Sequence, residues 1–440
     1  MQINRHLFIA LFLTKEMKKS VLLIAIIVVL LVGTLIFFLG NLEKDEKLDE
    51  ASLQSEKENF AQVENKDDKK EREKEIENHE GNNYGERIEQ IGRDVLEIPS
   101  QSERKNLPDC ANILYTEPYV EPTKIREIAP LGSVNPPEHT IPTNHVYSHL
   151  NLPRDSTETV PLYLPADAWI THISIGKGFT QDPEDSTVYF AVCKDVIGYF
   201  NHVKKLSPEI QKIVDDYQCL SGTSLGNGCF VQVLTPLKKG TYLGEVGRLQ
   251  GNFDFGTIDL RTEHNFINKE RYAPRTLHIQ CPFDYYSSEL KEKYYSLLQN
   301  KGNCGKINYD IPGTLQGNWF YGDSKEYYGG DWVKHAFFGY DNVNLEKAVI
   351  SFGGVIVSEE GLRWKFIPID SGTVNRKFVD VKNNGNIYCY DIDDQDQFNK
   401  GPKGRILVKM ESDKEIKVEH QNGDCNVGLS FSGKEKVYER

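Results

Sequence analysis

None of the eight cysteines is spaced Cys-x-x-Cys, which removes the commonest signature of thiolate zinc sites and dithiol redox centres. Clustered Lys and Arg are absent outside the first 20 residues and the net charge is −13, which argues against nucleic acid as a partner. No fixed repeat period or sustained heptad is visible, so neither a solenoid nor a dimerising coiled coil is expected. No small-residue cleavage site follows the one long apolar run, which argues against a cleaved signal peptide.

That run, residues 21–39, carries no charge and would span about 28 Å as a helix, close to a bilayer's hydrocarbon thickness. Arg5, Lys15, Lys18 and Lys19 precede it, whereas Glu43, Asp45, Glu46, Asp49 and Glu50 follow. The asymmetry predicts a single-pass signal anchor in the cell membrane, with residues 1–20 cytoplasmic and the C-terminal domains outside. Residues 40–107 are dominated by Glu, Lys, Asp, Asn and Gln through about residue 83, a composition that predicts a charged, solvated stalk. Ile88, Ile91 and Val95 suggest a short helix within it.

All eight cysteines lie beyond the anchor, which points to disulfides rather than free thiols. Proximity favours Cys219 with Cys229, Cys281 with Cys304 and Cys389 with Cys425, leaving Cys110 with Cys193. A reduced cytoplasmic chain is the alternative, and it requires the opposite orientation.

With 39% hydrophobic and 11% aromatic residues, the remainder can bury one or two cores. The fold class expected is mainly β, with one domain over 108–309 and a second over 310–440. Strand-like runs occupy 160–175, 187–192, 196–203, 229–234, 242–246 and 253–260. One helix is predicted after Ser207, which can cap it, with Pro208 in the first turn and Ile210, Ile213, Val214 and Tyr217 on one face. A second is predicted over 288–298. Beyond an aromatic loop containing Trp319, Phe320, Tyr327, Tyr328 and Trp332, short runs at 348–357, 362–368, 387–390, 406–410, 416–419, 427–431 and 437–439 predict an antiparallel sandwich or barrel.

The string HTIPTNHVYSH holds His139, His145 and His149, and neutral imidazoles so close together are candidate metal ligands. A surface loop with solvated imidazoles is the competing reading. Residues 222–226 match Gly-x-Ser-x-Gly, but they follow a helix and precede a strand, the reverse of a nucleophile elbow. Trp319 and Trp332 are candidate platforms for sugar rings, weighed against burial in a β core. Asp391, Asp393, Asp394 and Asp396 lack EF-hand spacing and read as a solvated acidic turn.

Between residues 160 and 281 the strings VPLYLPADAWITHI, Phe200-Asn201-His202-Val203 and the segment from Lys239 and Gly240 through Gly244 to Gly247 resemble the lysostaphin-type, LytM-like peptidoglycan endopeptidases. That resemblance implies a duplicated hybrid-motif β domain. It also implies a zinc centre built from His-x-x-x-Asp and His-x-His motifs, and neither is intact: His139 is followed by Thr143, His145 by His149, and Thr276-Leu277-His278 keeps one imidazole. His202 and His278 are the positions that match.

The expectation is therefore a membrane-anchored, extracytoplasmic, non-catalytic binding protein associated with cell-wall or surface glycan, needing no cofactor. The alternative is a zinc-dependent hydrolase of envelope polymer with a rebuilt site, His139, His145 and His278 as ligands and His202 as acid/base.

Overall fold

The computed structural model describes residues 98–112, 114–153, 156–176, 185–217, 229–247, 251–326, 331–357, 360–391 and 399–440. The anchor at 21–39, nearly all of the stalk, the 222–226 string, Cys219, Tyr327, Tyr328, Asp393, Asp394 and Asp396 lie outside them. Among the described residues no helix is long and apolar enough to cross a membrane.

The chain is mainly β, arranged as two antiparallel sheets. The first is built from β1 (Ile125–Ala129), β2 (Val146–Leu150), β3 (Val160–Tyr163), β4 (Ala168–Ile175), β5 (Ser186–Cys193), β6 (Val196–Leu206), β7 (Cys229–Leu237), β8 (Tyr242–Val246), β9 (Asn252–Asp259) and β10 (Ile279–Gln280). Its main path runs β1-β2-β9-β6-β5-β4-β7, with β10 on β9 and the β3–β8 pair joined through β6. Helix α1 (Pro208–Asp216) begins where Ser207 Oγ accepts from the Ile210 N–H at 3.2 Å, and it buries Ile210, Ile213 and Val214. Helix α2 (Ser288–Leu297) buries Tyr294.

Alternation along the central strands separates two chemistries. One face carries Phe190, Phe200, Phe253 and Phe255, fully buried against Tyr115, Tyr119, Phe283 and Tyr294. Phe200 and Phe255 lie 4.6 Å apart between ring centroids, and Tyr119 lies 4.9 Å from Phe255, distances at which aromatic rings attract. The other face carries Tyr147, Asp254, Asn201, Tyr199 and Tyr189. Glycine is required on it at Gly256, because a Cβ there would stand 2.1 Å from the Tyr199 ring.

The second sheet is β11 (Gly317–Phe320), β12 (His335–Tyr340), β13 (Ala348–Phe352), β14 (Leu362–Phe366), β15 (Tyr388–Asp391), β16 (Arg405–Ser412), β17 (Glu415–Gln421) and β18 (Lys436–Glu439), in the order β14-β13-β12-β11-β18-β17-β16-β15. Beyond β15 the chain returns to β14 through an Arg363–Lys400 bridge, drawing the sheet's two edges together around an aromatic interior. Trp319, Trp364, Phe338, Phe366, Phe378, Tyr390 and Tyr438 fill that interior. Phe320, Phe337 and Val349 pack instead into the core of the first sheet, so apolar packing is continuous across the two.

Between described cysteines the bridges are Cys110–Cys193, Cys281–Cys304 and Cys389–Cys425, whereas the pairing expected for Cys219 lies outside the described residues.

Candidate functional site: a buried histidine–aspartate cluster

Asp254 is the centre of the polar face. Tyr147 on β2 and Asn201 on β6 are its direct cross-strand neighbours, so the three side chains form one row across three strands. The Asp254 carboxylate is 3% exposed as a residue and accepts from Asn201 Nδ2 at 3.1 Å through Oδ2. His145, one residue before β2, brings Nε2 to 3.4 Å from the same oxygen, and His202 on β6 does likewise at 3.4 Å.

A bulge aims His202. Ser186 pairs with Val203 and Val188 with Phe200, so Thr187 alone faces both Asn201 and His202. His202 takes up the extra residue with φ of 64°, a left-handed conformation that is costly for a side-chain-bearing residue and is held here by surrounding structure. Its Nδ1 meets Asp185 at 3.1 Å while Nε2 faces Asp254. An imidazole between two carboxylates satisfies both only when both nitrogens carry protons. Burial opposes that charge, but the hydrogen bond to Asp185 and the fields of Asp254 and Asp185 raise the His202 pKa to about 9. Burial likewise opposes ionisation of Asp254, yet His145 and His202 hold its carboxyl below the usual range.

His145 is the opposite case. Burial pushes it down to about 4, against the pull of Asp254, so it is neutral near pH 7. Its tautomer follows from Asn144. The Asn144 amide nitrogen donates to Thr276 Oγ1 at 2.9 Å, and its Oδ1 accepts from the Tyr199 hydroxyl at 3.2 Å. That Oδ1 therefore also accepts from His145 Nδ1, 3.1 Å away. Nε2 is left as a bare lone pair, and it and Asp254 Oδ1 are both buried without a hydrogen-bond partner. His139 stands edge-on to His145 at 5.9 Å between ring centroids, and Tyr147 is 4.8 Å from His145.

The sequence-predicted residues divide. His139, His145 and His202 are brought together, whereas His278 is elsewhere: its Nδ1 bonds the Thr262 carbonyl, and its own carbonyl accepts from the Asp259 N–H at 2.9 Å. Asp259 is five residues along β9 from Asp254, about 16 Å in an extended strand, so His278 does not join His139 and His145. Trp319 is fully buried, not a sugar platform: Nε1 donates to the Leu315 carbonyl at 2.8 Å, and the Arg440 guanidinium lies 4.1 Å over the ring. Trp332 is half-buried in a helical turn, Asp331–Lys334, and its carbonyl accepts from Thr140 Oγ1 at 2.9 Å. His149 lies on β2 opposite Asn252.

Asp254 and Asp185 are what sequence reasoning missed. The signal for Asp254 was an acidic residue set between two phenylalanines, Phe253 and Phe255, in the strand Asn252–Asp259. A carboxylate there must be paired, and its partners come from distant strands.

Zinc takes three or four protein ligands, and the orphaned His145 Nε2 and Asp254 Oδ1 supply two. His202 is committed to both carboxylates. Among the described residues the one trio of ligand atoms within 4.8 Å of one another is Cys389, Asp391 and Cys425, whose cysteines form a disulfide. The residues as placed do not fit a zinc centre.

No family model and no curated protein matches the chain. Solved structures that align with it include Helicobacter pylori Csd3, at 14% identity over 42% of this chain and 38% of that one, with a TM-score of 0.23. Lysostaphin aligns at 10% identity over 68% of this chain and 80% of that one, with a TM-score of 0.19. The chain thus spans well under half the length of Csd3, and neither alignment is close enough to fix a family.

Proposed function

We propose that this is a membrane-anchored extracytoplasmic protein that binds cell-wall or surface glycan without catalysis. The observation that carries the non-catalytic part is the double engagement of His202 by Asp185 and Asp254. A general base needs a free lone pair within reach of substrate, and this imidazole holds protons on both nitrogens near neutral pH. The ligand class rests on the resemblance of residues 160–281 to wall endopeptidases, and the anchor on the charge-free run at 21–39.

One observation favours the second reading, a hydrolase with a rebuilt metal site: His145 Nε2 and Asp254 Oδ1 are both buried acceptors without a hydrogen-bond partner. Incubating the full chain with insoluble cell-wall material decides between the two. Retention that survives chelator, with no soluble fragments released and sub-stoichiometric zinc by elemental analysis, is the expected result. Absence of retention defeats the proposal, and fragment release lost on chelation replaces it with the hydrolase.

A further inference from the structure

Next to the histidine cluster, the first sheet's surroundings present a set of donors that converges on a single carboxylate. The Ala273 N–H donates to Glu326 Oε2 at 2.9 Å, Thr276 Oγ1 lies 3.1 and 3.2 Å from the two oxygens, and Asn144 Nδ2 lies 3.5 Å from Oε1. The Arg275 guanidinium adds its field, donates to the Tyr189 hydroxyl at 2.7 Å, and keeps a buried Nε without a partner. All these donors come from Asn144 and the 273–276 turn. The acceptor comes from the connection between β11 and β12.

That connection is held mainly by backbone. Arg271 Nη1 donates to the carbonyls of Gly322 and Ser324 at 2.7 and 2.9 Å, and the Glu326 N–H donates to the Arg271 carbonyl at 2.8 Å. Only the Glu326 side chain enters the donor set. Withdrawing it would leave the Ala273 N–H and the Thr276 hydroxyl without their acceptor, and each orphaned buried donor is costly. The pocket is therefore complementary to a carboxylate as a chemical group and not to this loop in particular.

We propose that Asn144, Ala273, Arg275 and Thr276 form a carboxylate-recognition site that the chain fills with its own Glu326, so that a ligand's carboxylate competes with the β11–β12 connection for it. The site stands apart from the wall-binding reading and needs no metal. Because Asn144 Oδ1 also accepts from His145 and Tyr199, occupancy of the site is communicated directly to the histidine cluster.

Propionate is a truncated Glu side chain and serves as the probe. In the full chain, Glu326→Ala is expected to lower Tm, and propionate to recover about 3 °C more in this variant than in wild type. Adding Thr276→Val to Glu326→Ala should abolish that recovery. Equal responses in wild type and Glu326→Ala, or a recovery indifferent to Thr276→Val, would overturn the proposal and leave Glu326 a structural latch. Should Glu326→Ala not fold, Glu326→Gln preserves volume and is measured by calorimetric titration. Propionate is then expected to bind it about tenfold more tightly than wild type, and equal affinities would overturn the proposal.

Discussion

The two sheets bury large side chains in quite different ways. The second encloses an aromatic interior whose polar atoms are indole nitrogens and phenol hydroxyls, such as the Trp319 nitrogen tied to Leu315 and the unpartnered Tyr390 and Tyr438 hydroxyls. The first has such an interior on one face only; on the other it buries Asp254, His145 and Tyr199 in a network that joins the 144–145 segment, β6 and β9. Apolar packing is the cheaper way to stabilise a sheet, since charges removed from water recover their desolvation cost only with well-placed partners. A sheet that spends structure on a buried carboxylate and a strained histidine is where function belongs.

The sharpest way to break this contrast is to remove one anchor from each sheet. Phe338→Ala should cost about 3–5 kcal/mol through its cavity, at any pH between 5 and 9. Asp254→Ala should cost a similar amount near neutrality, about 3–5 kcal/mol, because it strips the His202 imidazolium of one carboxylate. Denaturant unfolding of both variants across pH checks this: the Asp254→Ala deficit should shrink above pH 9 as His202 deprotonates, and a deficit that stays constant would mean the cluster carries no buried charge.

The second test is the wild type's own pH profile. His202 is raised from about 6.5 in the unfolded chain to about 9 in the folded one, so its contribution, about 3 kcal/mol, is fully present below pH 6.5 and lost as pH rises through 9. His145, His172 and His335 are each lowered by burial to about 4, so their contribution is present above pH 6.5 and lost as pH falls toward 4. Stability should therefore peak near pH 6.5, and His202→Gln should flatten the alkaline limb alone. An unchanged alkaline limb in that variant would place the titration elsewhere.

The smallest effect expected is in the second sheet. Trp319→Phe keeps the ring packing but loses the bond to Leu315, costing about 1 kcal/mol and leaving retention on wall material unchanged. A loss of retention without a loss of stability would restore the indole as a binding platform.

Much of the fold was legible because its elements advertise themselves. Tyr242–Val246 is a short run bounded by glycines at positive φ, Gly240 and Gly247, and Ser207-Pro208-Glu209 opens a helix by its own chemistry. Missed were β1 and β2, hidden among prolines and histidines, and β11 and β12, whose aromatic density reads as a loop until a partner strand covers it. Residues 427–431 read as a strand but are not one: the Arg405 guanidinium, rather than a neighbouring strand, reaches the carbonyls of Val427 and Gly428, each at 3.3 Å. Of the site, His139, His145 and His202 could be picked out as imidazoles. Asp185 and Asp254 could not, since what distinguishes them from ordinary acidic residues is the set of strands that closes around them.

Phe200 and Val203 are both fully buried although an odd spacing in a regular strand would send them to opposite sides. The additional residue between them resets the phase of β6, so the stretch beyond keeps its greasy side inward while an imidazole is turned toward Asp254. Deleting His202 would thus leave Phe200 and Val203 two residues apart and both still inward in a regular strand, so the cost of the extra residue falls on the cluster alone, which loses its imidazole.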